Sequence, residues 1–335
     1  MKKASFVVHS FYNNNKIFDL TDPHVNRDNC LYSYSLLRDS LKKENFELAT
    51  SDIHLPEESD IVFYNEAPTQ ISANHDPEKS FLLLFETELI RPKNWDLSLH
   101  KHFKKIFTWN DSFIDNDRYF KMNFSHLFPS KIKRVPFQQR KFCTLIAGNK
   151  SVSHPLELYS KRLETIDWFE KNHPDQFDYY GMGWNQLNLG NNFLNKVAKK
   201  LKLEKIIPSK TSPCYKGTVD RKIDTLSQYQ FSICYENAEK ISGYITEKIF
   251  DSFFAGCIPI YWGAPNINDH IPKECFIDRR DFSTHQELYG YLSKMSESDF
   301  NHQLDKIDDF LNSSYSKPFS AQHFSETLCL HVKNK

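Results

Sequence analysis

The chain has 335 residues, of which 43 are Lys or Arg and 43 are Asp or Glu, so its formal net charge is zero. At roughly 100–200 residues per domain this length predicts two domains, with enough core to need no disulfide or metal staple. Balanced charge argues against bulk nucleic-acid binding, and 28 Phe and 16 Tyr beside only 9 Gly exclude disorder and glycine repeats.

The N-terminus carries two lysines and then a short apolar stretch, below the roughly 7–15 apolar residues of a secretory signal. No apolar run reaches the roughly 18 residues of a membrane helix. The 7 cysteines are odd in number and none lie at C-x-x-C spacing, which argues against a zinc site or a disulfide framework. These features predict a cytoplasmic protein in a reducing compartment.

Residues 5–9 read as a short buried strand, followed by a helical pattern at Leu31, Tyr34, Leu37 and Leu41. Continuous apolar runs at 60–65, 81–85 and 105–110 read as strands buried on both faces. Such alternation predicts an α/β fold with a parallel sheet. Residues 127–141 hold two prolines, five basic residues and no acid, and read as an interdomain linker. A second series follows: a strand at 142–147, a helix at 156–171 and a strand at 177–180. Beyond about residue 283 the pattern is helical and polar, and a tail helix near 318–332 is expected to pack back on the first domain.

The most informative stretch is 229–263. Residues 231–235 read as a buried strand. Thr246 is a fair N-cap for a helix whose Ile249, Phe250, Phe253 and Phe254 share one face, and Gly256 is placed to stop it. Residues 257–262 read as the next parallel strand. In such βαβ units ligands sit beyond the carboxyl ends of the strands, beside the helix N-terminus. Glu236, Asn237, Tyr244, Thr246, Glu247 and Lys248 all fall there. A cation in the first helical turn opposes the macrodipole, unless a bound phosphate reverses the sign. Spacing alone leaves phosphate binding and a solvated Lys248 both open.

These residues also carry a resemblance. Residues 231–237 (Phe-Ser-Ile-Cys-Tyr-Glu-Asn), 244–248 (Tyr-Ile-Thr-Glu-Lys) and 256–263 (Gly-Cys-Ile-Pro-Ile-Tyr-Trp-Gly) resemble the signature of the α1,3/4-fucosyltransferases, glycosyltransferase family 10. Upstream, Tyr215, Gly217, Lys222, Leu226 and Tyr229 fit the family's approach to that signature. Arg162 matches a family arginine that contacts the donor diphosphate. Glu88, four residues before Pro92, matches the family's acidic residue. The resemblance covers roughly residues 80–285. It departs at Ala238–Gly243, where many members have a Ser after Glu-Asn and fewer residues before the Tyr.

The resemblance implies a GT-B fold, two Rossmann-like domains facing each other across a cleft. With the linker it divides the chain into an acceptor-binding domain at 1–135, a GDP-sugar-binding domain at 141–310 and a helical tail at 311–335. It implies an inverting transfer of L-fucose from GDP-fucose to a saccharide hydroxyl, α1,3-type, on a GlcNAc-containing surface glycan or its lipid-linked precursor. That assigns the chain to protein glycosylation or lipopolysaccharide biosynthesis. The resemblance casts Glu88 as the base, with Arg162, Glu236, Asn237, Tyr244, Thr246, Glu247 and Lys248 on the donor. Inversion by single displacement needs one general base; Glu86 and Glu66, also beyond strand ends, are the other candidates. Cations must meet the leaving diphosphate, a role that suits Lys248 and Arg162. Glu247 could accept from ribose or sugar hydroxyls or stabilise the oxocarbenium-like centre.

No divalent metal or other cofactor is expected, GDP-fucose being a substrate. Asp115-Asn116-Asp117 is a D-x-D triplet of the kind that holds manganese in GT-A enzymes, but such triplets are common in charged chains. His9 ends the first strand, where it could touch an acceptor or sit as a rim histidine. Lys196, Lys199, Lys200, Lys202 and Lys205 form a basic cluster. It suits peripheral contact with the inner face of a membrane or a lipid-linked glycan, or a solvated helix face. Nucleic acid is not expected as a partner. Two alternatives remain: the same mechanism with another GDP-deoxysugar, and a catalytically inactive glycan- or nucleotide-binding protein. Retention of base, arginine and lysine together argues against the second.

Overall fold

The computed structural model describes residues 1–185 and 212–333. The basic cluster at Lys196–Lys205 lies outside the described residues.

Two parallel sheets organise the chain. The first holds β1 (Lys2–Val7), β2 (Phe46–Thr50), β3 (Ile61–Asn65), β4 (Ser80–Leu84), β5 (Lys105–Thr108) and β6 (Tyr119–Lys121) in the order β2-β1-β3-β4-β5-β6. The second holds β7 (Lys141–Ile146), β8 (Phe177–Tyr180), β9 (Tyr229–Tyr235), β10 (Ile258–Trp262) and β11 (Ile277–Asp278) in the order β11-β10-β9-β7-β8. Among the described residues every strand pair is parallel. Each sheet is doubly wound, and each reverses direction beside its first strand, between β1 and β3 and between β7 and β9. Crevices for ligands open at such reversals.

The apolar runs became central strands because both faces are covered: β4 is buried along its length, and β9 and β10 nearly so. The expected strand at 5–9 is instead Lys2–Val7, since Lys2 and Lys3 pair with Phe46 and Glu47 of β2.

Among the described residues the helices are α1 (Tyr32–Lys43), α2 (Leu97–His100), α3 (Tyr159–Asn172), α4 (Lys222–Leu226), α5 (Glu247–Phe254), α6 (His285–Leu292), α7 (Glu297–Leu311) and α8 (Ala321–Lys333). α5 buries Ile249, Phe250, Phe253 and Phe254 and stops before Gly256. The tail returns to the first sheet. α8 packs on α1, with Phe324 edge-on to Tyr34 at 5.7 Å and Leu328 and Val332 in the first core.

Residues 127–141 connect the sheets, and their basic side chains are used structurally. Arg134 pairs with Asp305 and Asp308, Lys133 with Asp224, and Lys141 with Asp178. Arg140 donates to the carbonyls of Val135, Ser227 and Tyr229. Among the described residues no helix is long and apolar enough to cross a membrane.

Candidate active site

A cleft of about 380 Å³ opens where the carboxyl ends of the two sheets meet. The second sheet contributes Ile146 to Gly148 after β7, Gly181 and Met182 after β8, and Asn237 after β9. The first contributes Glu86, after β4, with Arg27 and Phe124. A second lobe of about 770 Å³ continues from Glu86, Phe124 and Lys222 towards Tyr34, Asn65, Glu66, Phe85 and Phe128.

The motif of β9 and α5 folds around one buried carboxylate. Glu236 is fully buried and accepts from the Thr246 amide at 2.8 Å and the Thr246 hydroxyl at 2.7 Å. Thr246 therefore serves Glu236 and does not cap α5 with its side chain. Lys248 lies 3.2 Å from Glu236 and 3.4 Å from Glu247, and donates to the Thr246 hydroxyl at 2.9 Å. Burial disfavours its charge, but Glu236 and Glu247 outweigh that and raise its pKa. Gly263 lies so close that a Cβ there would fall 2.5 Å from the Glu236 side chain. That close approach explains the glycine at the end of the motif.

Arg162, on α3, is buried. One terminal nitrogen donates to the carbonyls of Tyr235 and Glu236 and to the Asn237 side chain, so it pins the end of β9 while bordering the cleft. Tyr244 is buried against Trp109 at 4.7 Å between ring centroids, and burial pushes its hydroxyl pKa well up. Trp109 follows β5, so the motif of β9 and α5 rests on the first sheet. Asp111 reinforces that junction: it accepts from Lys121 at 2.5 Å, Asn266 at 2.8 Å and His270 at 2.9 Å. The Ala238–Gly243 stretch is taken up here. Ala238 bridges to Glu157, Trp262 donates to Glu239, and the Asp111 amide donates to Ser242. At Gly243, with φ +81°, a Cβ would fall 2.2 Å from the Trp109 carbonyl.

The cleft thus brings together Arg162, Asn237, Tyr244, Thr246, Glu247 and Lys248, with Glu236 behind them. It does not bring Glu88 to them. Glu88 is exposed and borders neither lobe, whereas Glu86, two residues earlier, borders both. Burial raises the Glu86 pKa, against the opposing charge of Lys248. Glu66 is held inward: its carboxylate accepts from the amides of Phe85 and Glu86 and from the Asn94 side chain, and burial pushes its pKa to about 7.

Other cleft residues carried no assigned role in the sequence. Lys222 donates to Asp251 at 2.7 Å, and its amide donates to Asp28 of the first half. Arg27 reaches the Val219 carbonyl at 2.9 Å. Tyr159 precedes Arg162 by one helical turn, an i, i+3 spacing that sets both on one face of α3.

Asp115 of the D-x-D triplet accepts the amides of Asp117, Arg118 and Tyr119 at 2.8–2.9 Å, which makes it a turn former. Among the described residues no group of three or more His, Cys, Asp or Glu is placed to hold a metal. His9 is exposed, and its ring accepts from the Phe11 amide.

Residues 171–304 match the model of the glycosyltransferase family 10 (fucosyltransferase) C-terminal domain. The chain is 36% identical over 108 residues to alpha-(1,3)-fucosyltransferase FucT of Helicobacter pylori, a match covering 32% of this chain and 22% of that protein. The match to the alpha-(1,4)-fucosyltransferase of Arabidopsis thaliana, 36% over 72 residues, covers 22% of this chain and 18% of that one. The chain therefore spans about a fifth of the length of these curated relatives. The likeness in fold extends further, over a GT-B architecture. A crystal structure of an alpha1,3-fucosyltransferase with GDP-fucose superposes with TM-score 0.54 at 20% identity, over 97% of this chain and 89% of that one.

Proposed function

We propose that this chain is a fucosyltransferase of glycosyltransferase family 10, moving L-fucose from GDP-fucose to a saccharide hydroxyl with inversion at the sugar carbon. The carrying observation is that Glu86 borders the same cleft as Lys248 and Arg162. The acceptor oxygen bonds to the anomeric carbon as the bond from that carbon to the β-phosphate oxygen breaks. The acceptor proton passes to Glu86, and GDP departs with the electron pair. Burial raises the basicity of Glu86, which suits a general base. This assigns to Glu86 the role that the sequence resemblance gave to Glu88.

Lys248 and Arg162 face the charge that grows on the diphosphate, in a site partly closed to water where such interactions are strong. Tyr244 and Asn237 complete the donor wall. Residues 141–310 would hold the donor and residues 1–135 the acceptor, with the tail 311–335 returning to the first. The second lobe mixes rings (Tyr34, Phe85, Phe128) with Asp28 and Asn65, chemistry that suits a neutral sugar of a GlcNAc-containing surface glycan. An α1,3 linkage follows the family resemblance.

A panel of GDP-sugars tests this, read first as donor hydrolysis and then as NMR of the transfer product. Turnover confined to GDP-fucose supports the reading. Preference for another GDP-deoxysugar would change the donor, since one hydroxyl is re-read by few side chains. Binding of GDP-sugars without any turnover would make the chain a binding protein.

A further inference from the structure

We propose that the Tyr159 hydroxyl donates a hydrogen bond to a β-phosphate oxygen of the donor, an assignment that rests on the GDP-sugar reading above. Tyr159 opens α3 and borders the cleft, yet is only 3% exposed. Its hydroxyl is buried and has no hydrogen-bond partner among the described residues. Buried hydroxyls in folded proteins nearly always have partners, so an orphan beside a ligand cleft needs an explanation. Of the buried side-chain polar atoms without a hydrogen bond, one other borders this cleft, the Arg27 Nε, and it has Asp28 3.5 Å away.

The surroundings select the ligand group. The Arg162 guanidinium lies 4.8 Å from the Tyr159 ring centroid, a cation–π contact that fixes the phenol. The charges that act on the hydroxyl are Arg162 and Lys248, both positive, and Glu86 and Glu157, both negative. An oxygen bearing negative charge fits between the two cations. A neutral sugar hydroxyl would not use them. α3 is 14 residues long and brings its electropositive N-terminus to the same place, where the N-cap residue Leu158 offers no side-chain acceptor. Burial raises the phenol pKa, so the group is a donor throughout the neutral range. The nearness of Glu86, the proposed base, points to the phosphate that carries the breaking bond.

Tyr159→Phe removes one oxygen and no protein hydrogen bond. Titration calorimetry with GDP and with GMP, paired with thermal unfolding, provides the test. We expect GDP affinity to fall about tenfold, as for loss of a charge-assisted hydrogen bond. GMP affinity should stay at the parent level, and Tm should be equal or higher. Equal GDP affinity in parent and variant overturns the assignment and leaves the GDP-sugar reading intact. A clear drop in Tm also overturns it, because the hydroxyl would then be structural. Failure of the parent itself to bind GDP removes the GDP-sugar reading, and this assignment with it.

Discussion

The Glu66 carboxylate accepts the backbone amide of Glu86 at 3.0 Å and that of Phe85 at 3.3 Å. The β3–β4 ladder ends at Asn65 and Leu83, so a side chain takes over where backbone pairing stops. On the other side, the Glu86 carbonyl accepts from Asn94 at 3.0 Å and Trp95 at 3.1 Å. Glu66 itself adopts φ +78°, an uncommon left-handed conformation for a non-glycine residue. Its partners hold it there. The peptide that carries the proposed base is therefore fixed at both its amide and its carbonyl.

Glu86→Gln should keep this peptide in place and remove the proton acceptor. Loss of a general base typically costs about 10²–10⁴ in rate. Transfer should collapse by that amount while GDP affinity stays near the parent's. Glu88→Gln, on an exposed residue outside the cleft, should transfer at close to the parent rate. A dead Glu88→Gln beside an active Glu86→Gln would reverse the two roles.

Glu66 predicts a pH-dependent stability term. Burial lifts its pKa from an ordinary 4.5 to about 7 in the folded state. Between those values the native state binds more protons than the unfolded state. The Glu66 contribution is therefore complete below the lower value and declines as pH rises through the upper one. Gln at 66 cannot ionise. Thermal unfolding of parent and Glu66→Gln should show the parent losing ground to the variant from pH 4.5 to 7. Parallel Tm curves across that window would contradict the inward placement of the carboxylate.

The interdomain junction at Asp111 makes a separate prediction. Lys121, Asn266 and His270 all donate to it, so Asp111→Ala takes an acceptor from three polar groups, of which Lys121 keeps the Trp109 carbonyl. Each partly buried group left without an acceptor costs roughly 1–3 kcal/mol before water repairs part of the loss. Urea unfolding should show a destabilisation of about 2 kcal/mol or more. Because the Ser242–Tyr244 loop rests on this junction, KM for the donor should also rise. An unchanged midpoint would mean that the junction contributes little.

Charge on the departing diphosphate is assigned here to Lys248, Arg162 and a helix N-terminus. Transfer should accordingly survive chelation, with rates in EDTA close to those in buffer. Asp115→Asn should be equally active. Complete loss in EDTA that manganese restores would direct attention back to a metal.

The parts of this molecule that sequence made legible are those in which one strand or helix carries its own pattern. Residues 231–262 are an example, because β9 and β10 are each buried along a nearly continuous run and α5 buries one apolar face. β2 escaped notice because its five residues, Phe-Glu-Leu-Ala-Thr, include a charge and only half commit to the core. β6 and β11 have three and two residues, too few for any periodicity. The choice between Glu86 and Glu88 was not legible either. Both follow β4, and what turns one into the cleft is the clamp from Glu66, Asn94 and Trp95, which lie 20, 8 and 9 residues from Glu86 and outside any strand or helix pattern it belongs to. Thr246 shows the same limit: its spacing fits an N-cap, but a buried carboxylate ten residues earlier claims its hydroxyl.

Lys248 pairs with the buried Glu236 and is also the proposed cation for the diphosphate, and a pair of variants separates these two roles. Alone, Lys248→Met removes the cation nearest the fully buried Glu236 carboxylate, 3.2 Å away. An uncompensated buried charge is strongly destabilising, on the order of 3–5 kcal/mol. Weak GDP binding by that variant could then reflect damage to the fold. Adding Glu236→Gln removes the stranded charge and keeps an acceptor for Thr246, so the double variant should recover most of the lost stability in urea unfolding. It has no ammonium to offer a phosphate, so its GDP affinity should remain about tenfold or more below the parent's. Recovery of stability and affinity together would mean that Lys248 serves only Glu236, and the diphosphate would need another cation.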